Sequence, residues 1–400
     1  MKTDMVNSPY YSPLLATIVY HDLFDIPLTA WEVFKYQIVD HKALNTEYAQ
    51  TMEASHCEEE RRSNPIHKVS PGRISFLENM DAAREMLSQS ISPTPSQSTA
   101  SARDDKRNII AYPAIINALN VLADQGIIAE KNGYYFLKGR DAIYEIHIER
   151  LKIAEEKWHA VRNVVQWQAA VPFVRAIFVS GSVAMGNANA SSDVDLFIIT
   201  EHGRIWTARF LLIALTFSFG KLRSSRLGGS TASKCCLNHF ITTKSLGLRA
   251  QSLYNAATYA RLIPVAGGEW LTRFYEVNAW VGDHLPWYAR GNDGREHAAS
   301  SNRKLMQSAW RGRMQKALEI LLAGLIGNMV EAALRSIQKA LIARNALTPA
   351  SVTAGRVVAS DEELAFHPES PERTILDNYA KIMLESNFGK IPEIRSYTKK

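Results

Sequence analysis

Apolar residues recur at helical spacing over Pro13 to Tyr20 and again over Trp31 to Val39, with the turn-forming segment Asp25-Ile26-Pro27-Leu28-Thr29 between them. Thr29 followed by Glu32 has the form of a capping box and predicts where the second helix begins. Pro113 to Gln125 predicts a third helix with Ile116, Leu119 and Leu122 on one face, ended by Gly126. Two short apolar runs, Ile127 to Glu130 and Tyr134 to Leu137, flank Lys131-Asn132-Gly133, and an Asn-Gly turn in that setting predicts a β-hairpin. Helical spacing resumes from Asp141 to Ala170. The period then changes. Val174 to Ser180 and Asp193 to Ile199 are short, β-branched and aromatic, as buried strands are, and Cys236 to Thr242 reads as a third. Arg204 to Leu222 is apolar nearly all round, which predicts a helix covering the sheet. Residues 249 to 345 alternate helical spacing with breaks at Pro264 and Gly267-Gly268, and Trp270, Phe274, Trp280 and Trp287 suggest dense packing there. From Asp361 onward the pattern predicts one last helix with Pro371 near its start.

These elements predict a division into 1–140 (a helical module ending in the hairpin), 141–171 (a connecting helix), 172–248 (an α/β core), 249–345 (a helical module) and 346–400 (a helix and basic tail). Within the first, 41–107 is rich in Ser, Glu, Gln and Thr and is expected to be disordered. Four hundred residues exceed what one core organises, which agrees with several domains. With 46% apolar residues, disorder of the whole chain is excluded.

Three cysteines, two of them adjacent, build no disulfide framework and predict a reducing compartment. The opening MKTDMVNSPYYSP lacks an apolar stretch, so the expected location is cytoplasmic. Ile320 to Val330 falls short of the roughly 20 residues of a membrane span; it is read as a buried helix, and no membrane partner is expected. The formal charge of +6 mildly favours anionic partners.

Candidate chemistry concentrates in one stretch. The strand Val174 to Ser180 ends at Gly181-Ser182, where a glycine lets backbone approach a ligand closely and the amides of a following turn point at whatever sits there; phosphate is the natural occupant. Gly186 to Ser192 is small and polar and must turn the chain. In the strand that follows, Asp193 and Asp195 are two apart and project from the same face, with Val194, Leu196 and Ile198 behind them. Two ionised carboxylates side by side repel unless a cation joins them, and magnesium, which takes a few carboxylates plus phosphate oxygens, resolves the conflict.

A buried strand ending in Gly-Ser, ten residues of turn, and acid-x-acid opening a second buried strand resemble the signature of the DNA polymerase beta-like nucleotidyltransferases, over roughly residues 172–245. The resemblance implies an α/β (α+β) fold: a polymerase beta-type sheet with covering helices, here between an N-terminal winged-helix-like domain and a helical C-terminal half. It implies that Gly181 and Ser182 hold the triphosphate of an NTP and that Asp193 and Asp195 are the catalytic, metal-binding residues for Mg2+ (or Mn2+). A nucleoside monophosphate then passes to an acceptor, whether small molecule, protein or RNA, and pyrophosphate leaves. Active members carry a third carboxylate on a later strand. Here the corresponding strand offers Asn238 and His239 instead, and no Asp or Glu lies between Glu201 and Glu269. That departure keeps a second reading open, a degenerate nucleotide-binding domain with a regulatory or antitoxin-like role.

The N-terminal pattern of three helices and a hairpin resembles a winged-helix domain. Its third helix, PAIINALNVLADQ, has no lysine or arginine, so DNA contact is not the favoured expectation.

Overall fold

The computed structural model describes residues 11–38, 112–223, 234–287, 309–346, 356–367 and 370–385. The insert expected at 41–107 lies outside the described residues. The chain divides into two units, one formed by Met1–Lys152, Gly282–Arg290 and Arg373–Lys400, the other by Ile153–Val281 and Gly291–Glu372.

The first unit opens with α1 (Tyr11–Asp22), a two-residue strand β1 (Leu28–Thr29) and α2 (Ala30–Lys35). Thr29 and Glu32 form both halves of the capping box: the Glu32 amide donates to Thr29 Oγ1 at 3.3 Å and the Thr29 amide donates to Glu32 Oε2 at 2.9 Å. Helix α3 (Tyr112–Asp124) leads into the hairpin of β2 (Ile128–Lys131) and β3 (Tyr134–Leu137). Asn132 and Gly133 both adopt positive φ, 52° and 81°, as a tight two-residue hairpin turn requires. β3 also pairs with β1, giving the order β1-β3-β2. On α3 the buried residues are Ile115, Leu119 and Leu122, while Ile116 is exposed. Both spacings fit a helical stripe, and the three-plus-three spacing from Ile116 drifts off the face that the four-plus-three spacing from Ile115 keeps.

Asp22 and Asp25 of this unit share two arginines: Arg140 lies 3.3 Å from Asp22 and 2.5 Å from Asp25, and Arg150 lies 3.2 Å from Asp25. Burial pushes the Asp22 carboxyl up from 3.8 to about 6, against the pull of Arg140. Because folding raises this pKa, the folded state holds the proton more tightly than the unfolded chain. The stability it contributes is therefore present at acid pH and is lost as pH rises through about 6. Asp22→Asn is expected to remove a fall of roughly 3 kcal/mol as pH rises from below 3.8 to above about 6, seen as a flatter dependence of thermal unfolding on pH.

Helix α4 (Ile143–Gln168) begins in the first unit and ends in the second, whose six-stranded sheet has the order β7-β4-β5-β6-β9-β8. Its strands are β4 (Val174–Ser180), β5 (Val194–Thr200), β6 (Cys235–Thr242), β7 (Ile263–Ala266), β8 (Arg356–Ala359) and β9 (Glu363–His367). β4 and β5 are antiparallel, β5 and β6 parallel. Strand alternation sorts the apolar residues into two cores. Ile177, Val179, Leu196 and Ile198 pack with Val161, Val164 and Val165 of α4 and with Trp206 and Leu212 of α6 (Ile205–Ser218). Ala176, Phe178, Phe197 and Ile199 pack on the opposite side with Tyr259 of α7 (Leu253–Ala260) and with Leu271 and Phe274 of α8 (Glu269–Val277). Short α9 (Val281–His284), then α10 (Ala309–Leu321), α11 (Gly324–Ala346) and α12 (Glu372–Glu385) complete the described helices.

Three expectations are corrected. The region after residue 249 is not purely helical: β7 pairs with β4, and residues expected in a single last helix form β9, which pairs with both β6 and β8. The runs Arg356–Ala359 and Glu363–His367 are too short for their period to separate strand from helix, and pairing along β6 decides it. Ile320 to Val330 is not a buried helix. It is broken between α10 and α11, and Ile320, Leu321, Leu325, Ile326 and Met329 are exposed. Apolar content predicts removal from water but not what does the removing.

Candidate active site

Four elements bring the candidate residues together at one end of the large sheet. β4 delivers Ser180, which pairs with Asp195 on β5, and the chain then turns through Gly181 into the four-residue helix α5 (Gly181–Ala184). Gly181 has φ +67°, and a Cβ placed on it would stand 2.3 Å from Asp195 Oδ2. The residue type is thus fixed twice over, by backbone conformation and by the carboxylate lying against it. Asp193 and Asp195 share the alternation of Phe197 and Ile199, which places them on the side of the sheet that α7 and α8 cover.

The turn between α5 and β5 is tied locally. Asn189 Oδ1 accepts from the amides of Ser191 and Ser192, both at 3.0 Å. Lys157 of α4 donates to the carbonyls of Ala190 at 2.9 Å and Ser192 at 2.6 Å. Burial holds the Lys157 ammonium below its usual pKa, and the Asp193 carboxylate offsets part of that.

β6 contributes what spacing alone does not reveal. Asp195 pairs with Cys236, but Phe197 pairs with His239, so β6 carries one extra residue in a bulge. Asn238 then donates from Nδ2 to Asp195 Oδ1 at 3.0 Å. Its own Oδ1 is buried, and no donor among the described residues reaches it. His239 lies past the bulge, its ring 4.7 Å from that of Phe197 and its Nε2 3.5 Å from Glu363 Oε1. Among the described residues, one oxygen from each of Asp193 and Asp195 and the Cys236 sulfur lie within 4.8 Å of one another; His239 is outside this group. Arg223, next to the bridge between Leu222 and Cys235, reaches the same cluster. Its Nη1 is 2.6 Å from Asp193 Oδ2 and 3.5 Å from Cys236 Sγ.

The electrostatics follow from crowding two acids in a dry place. Burial, then the Asp193 charge, push the Asp195 carboxyl up to about 7, with Arg223, Cys236 and Asn238 pulling the other way. Burial and the two carboxylates push the Cys236 thiol well above its usual range, so it is protonated and acts as a donor. Tyr254 of α7 is pushed up to about 12 by burial first, then by the charges of Glu372 and Asp195.

A strand ending in glycine-serine, a tied turn and two acids opening the next strand form one continuous stretch of chain, and a family comparison names it. Residues 160–228 match the family model of a nucleotidyltransferase domain. The matched segment runs from within α4 through β4, α5, β5 and α6 to residue 228, so it holds Gly181, Ser182, Asp193, Asp195 and Arg223. It stops before β6, leaving Cys236, Asn238 and His239 outside. No curated protein and no solved structure matches the chain. Arg223 stands in a run of basic residues that the sequence shows, but its contact with Asp193 does not follow from spacing, and Cys236 and Lys157 had no local signal; each reaches this cluster through pairing or packing between distant segments.

Proposed function

We propose that this chain is a divalent-cation-dependent nucleotidyltransferase that moves a nucleoside monophosphate from an NTP to an acceptor and releases pyrophosphate. The observation that carries the reading is the pair Asp193 and Asp195 beside Gly181 within a segment matching the nucleotidyltransferase model. The donor set fits a hard cation. Burial, and then the neighbouring Asp193 carboxylate, raise the Asp195 pKa toward neutrality, and a guanidinium already stands against Asp193. The protonated Cys236 thiol is a poor ligand for magnesium, whereas the buried Asn238 Oδ1, without a donor among the described residues, is the oxygen type that magnesium and manganese accept.

In this reading Asp193 and Asp195 hold the cation, with Mg2+ or Mn2+ supplying charge neutralisation at the attacked phosphate and leaving pyrophosphate. Gly181 and Ser182 give the triphosphate room to approach the backbone. Arg223, which pairs with Asp193, would be placed to meet phosphate oxygens with its planar fork if a cation took over Asp193. Asn238 orients Asp195 and stands where the third carboxylate of active relatives would be. It cannot take a proton from an acceptor hydroxyl, so the acceptor must bring its own good nucleophile or meet a base from another residue.

That absent third acid is also what supports a second reading, a nucleotide-binding domain with little turnover and a regulatory role. The first unit bears on it only weakly. Its element order and its sheet order β1-β3-β2 are similar to a winged helix, but α3 lacks lysine and arginine, so DNA is not the partner we favour.

Incubation with NTP labelled at the α or the γ phosphate, with magnesium and a soluble extract as acceptor pool, separates the readings. Transfer predicts α label on an acceptor and γ label only in pyrophosphate. γ label on the acceptor would replace nucleotidyl by phosphoryl transfer, and nucleotide retained without either product supports the second reading.

A further inference from the structure

The helices α10 and α11 meet at a bend of 89°. Two glycines build it. Gly324 has φ +68°, a conformation that favours glycine, and a Cβ on Gly327 would fall 1.7 Å from the Leu322 carbonyl oxygen, so Gly327 admits no other residue without the corner opening. The corner presents Ile320, Leu321, Leu325, Ile326 and Met329 at 77%, 68%, 83%, 68% and 73% exposure. This is more than scattered surface hydrophobicity, because the usual polarity of a surface helix is reversed.

The acids and glutamines of the pair point inward. Gln315 donates to the carbonyls of Val171 and Val174, both at 3.1 Å, and Glu319 accepts from the Phe173 amide and from Arg175, both at 2.7 Å. Glu331 accepts from the amides of Trp206 at 2.9 Å and Thr207 at 2.8 Å, and Gln338 donates to the Trp206 carbonyl at 2.8 Å. Glu319 and Glu331 are the acids of residues 309–346, and both are thus turned to the body of the unit. On α10 the residues that face out beside the aliphatic tip include Trp310, Arg313 and Lys316.

We propose that this corner docks on an anionic lipid bilayer, with the aliphatic tip entering the acyl boundary, Arg313 and Lys316 at the headgroups and Trp310 at the interface. The chemistry is that of an interfacial anchor: aliphatic insertion, cations for the lipid phosphates and an indole at the boundary. Among the described residues no single helix is long and apolar enough to cross a membrane; the bent pair is apolar enough only when taken together, and Glu319 and Glu331 tie it to the body of the unit, which favours docking over crossing. A second copy of the chain fits less well. A two-fold interface through the corner sets the same patch against itself, Arg313 and Lys316 included, with no outward carboxylate on either helix to answer them.

The test is flotation of the full chain with vesicles of phosphatidylcholine alone and of phosphatidylcholine mixed with phosphatidylglycerol. The expected result is flotation with the mixed vesicles, reduced about tenfold or more by Leu325→Ser with Ile326→Ser, with thermal unfolding unchanged because both side chains are already in water. Arg313→Glu with Lys316→Glu should abolish the preference for the mixed vesicles. The proposal is overturned if the unmodified chain stays unbound to the mixed vesicles or if the serine pair floats as well as it does. It is equally overturned if light scattering shows a dimer that the serine pair dissolves, which assigns the corner to a second copy.

Discussion

Asp195→Asn is expected to cut nucleotidyl transfer by roughly a thousandfold or more while leaving the fold as stable as before, or more so. The two halves have one cause. In the metal-free protein the Asp195 carboxylate is buried beside Asp193 and pressed against Gly181, with Arg223 and Asn238 compensating only in part. An amide of the same shape removes the repulsion, so thermal unfolding without metal should rise or stay level. The same amide removes the charge that a divalent cation needs. Measuring unfolding and α-label transfer on one preparation checks both. A residue serving only the fold would behave in the opposite way, losing stability first and activity in proportion.

Gly181→Ala carries the second large effect, again with activity and stability separated. The alanine backbone is strained at φ +67° by about 1 kcal/mol, a modest cost. The new methyl would fall 2.3 Å from Asp195 Oδ2 and 3.1 Å from its Cγ, and the short side chain of Asp195 has to rotate away. That displaces the carboxylate from Asp193, and a shift of about an ångström in a positioned group can cost on the order of a hundredfold in rate. Transfer should therefore fall by about two orders of magnitude while the unfolding midpoint moves by only a few degrees. An alanine variant with ordinary activity would show that Asp195 is not needed where it stands.

The parts of this site legible in the sequence are those the chain writes locally. Gly181, Ser182, Asp193 and Asp195 lie within fifteen consecutive residues, and the alternation of a strand is enough to put both acids on one face. The approach of Cys236 and Arg223 to the two acids was not legible, because it comes through the parallel register of β5 with β6 and the bridge from Leu222 to Cys235. A bulge complicates this further: counting by twos along β6 gives no warning that Asn238 reaches Asp195 while His239 packs on Phe197. β8 and β9 escaped for a related reason, since four- and five-residue runs take their identity from the partner strand. The corner between α10 and α11 shows the limit of hydrophobicity as a guide. Ile320 to Val330 reads as core in the sequence, yet it breaks at its glycines and faces outward, while the flanking Glu319 and Glu331 turn inward.

The central claim, that Asp193 and Asp195 jointly hold a divalent cation together with an NTP, is tested most directly by electron paramagnetic resonance of Mn2+ titrated into the full chain with a nonhydrolysable NTP. The account predicts that free Mn2+ signal is lost on adding protein and nucleotide together, and that Asp193→Asn with Asp195→Asn restores it to the level of nucleotide alone. Equal Mn2+ uptake by the unmodified chain and the double variant would contradict it.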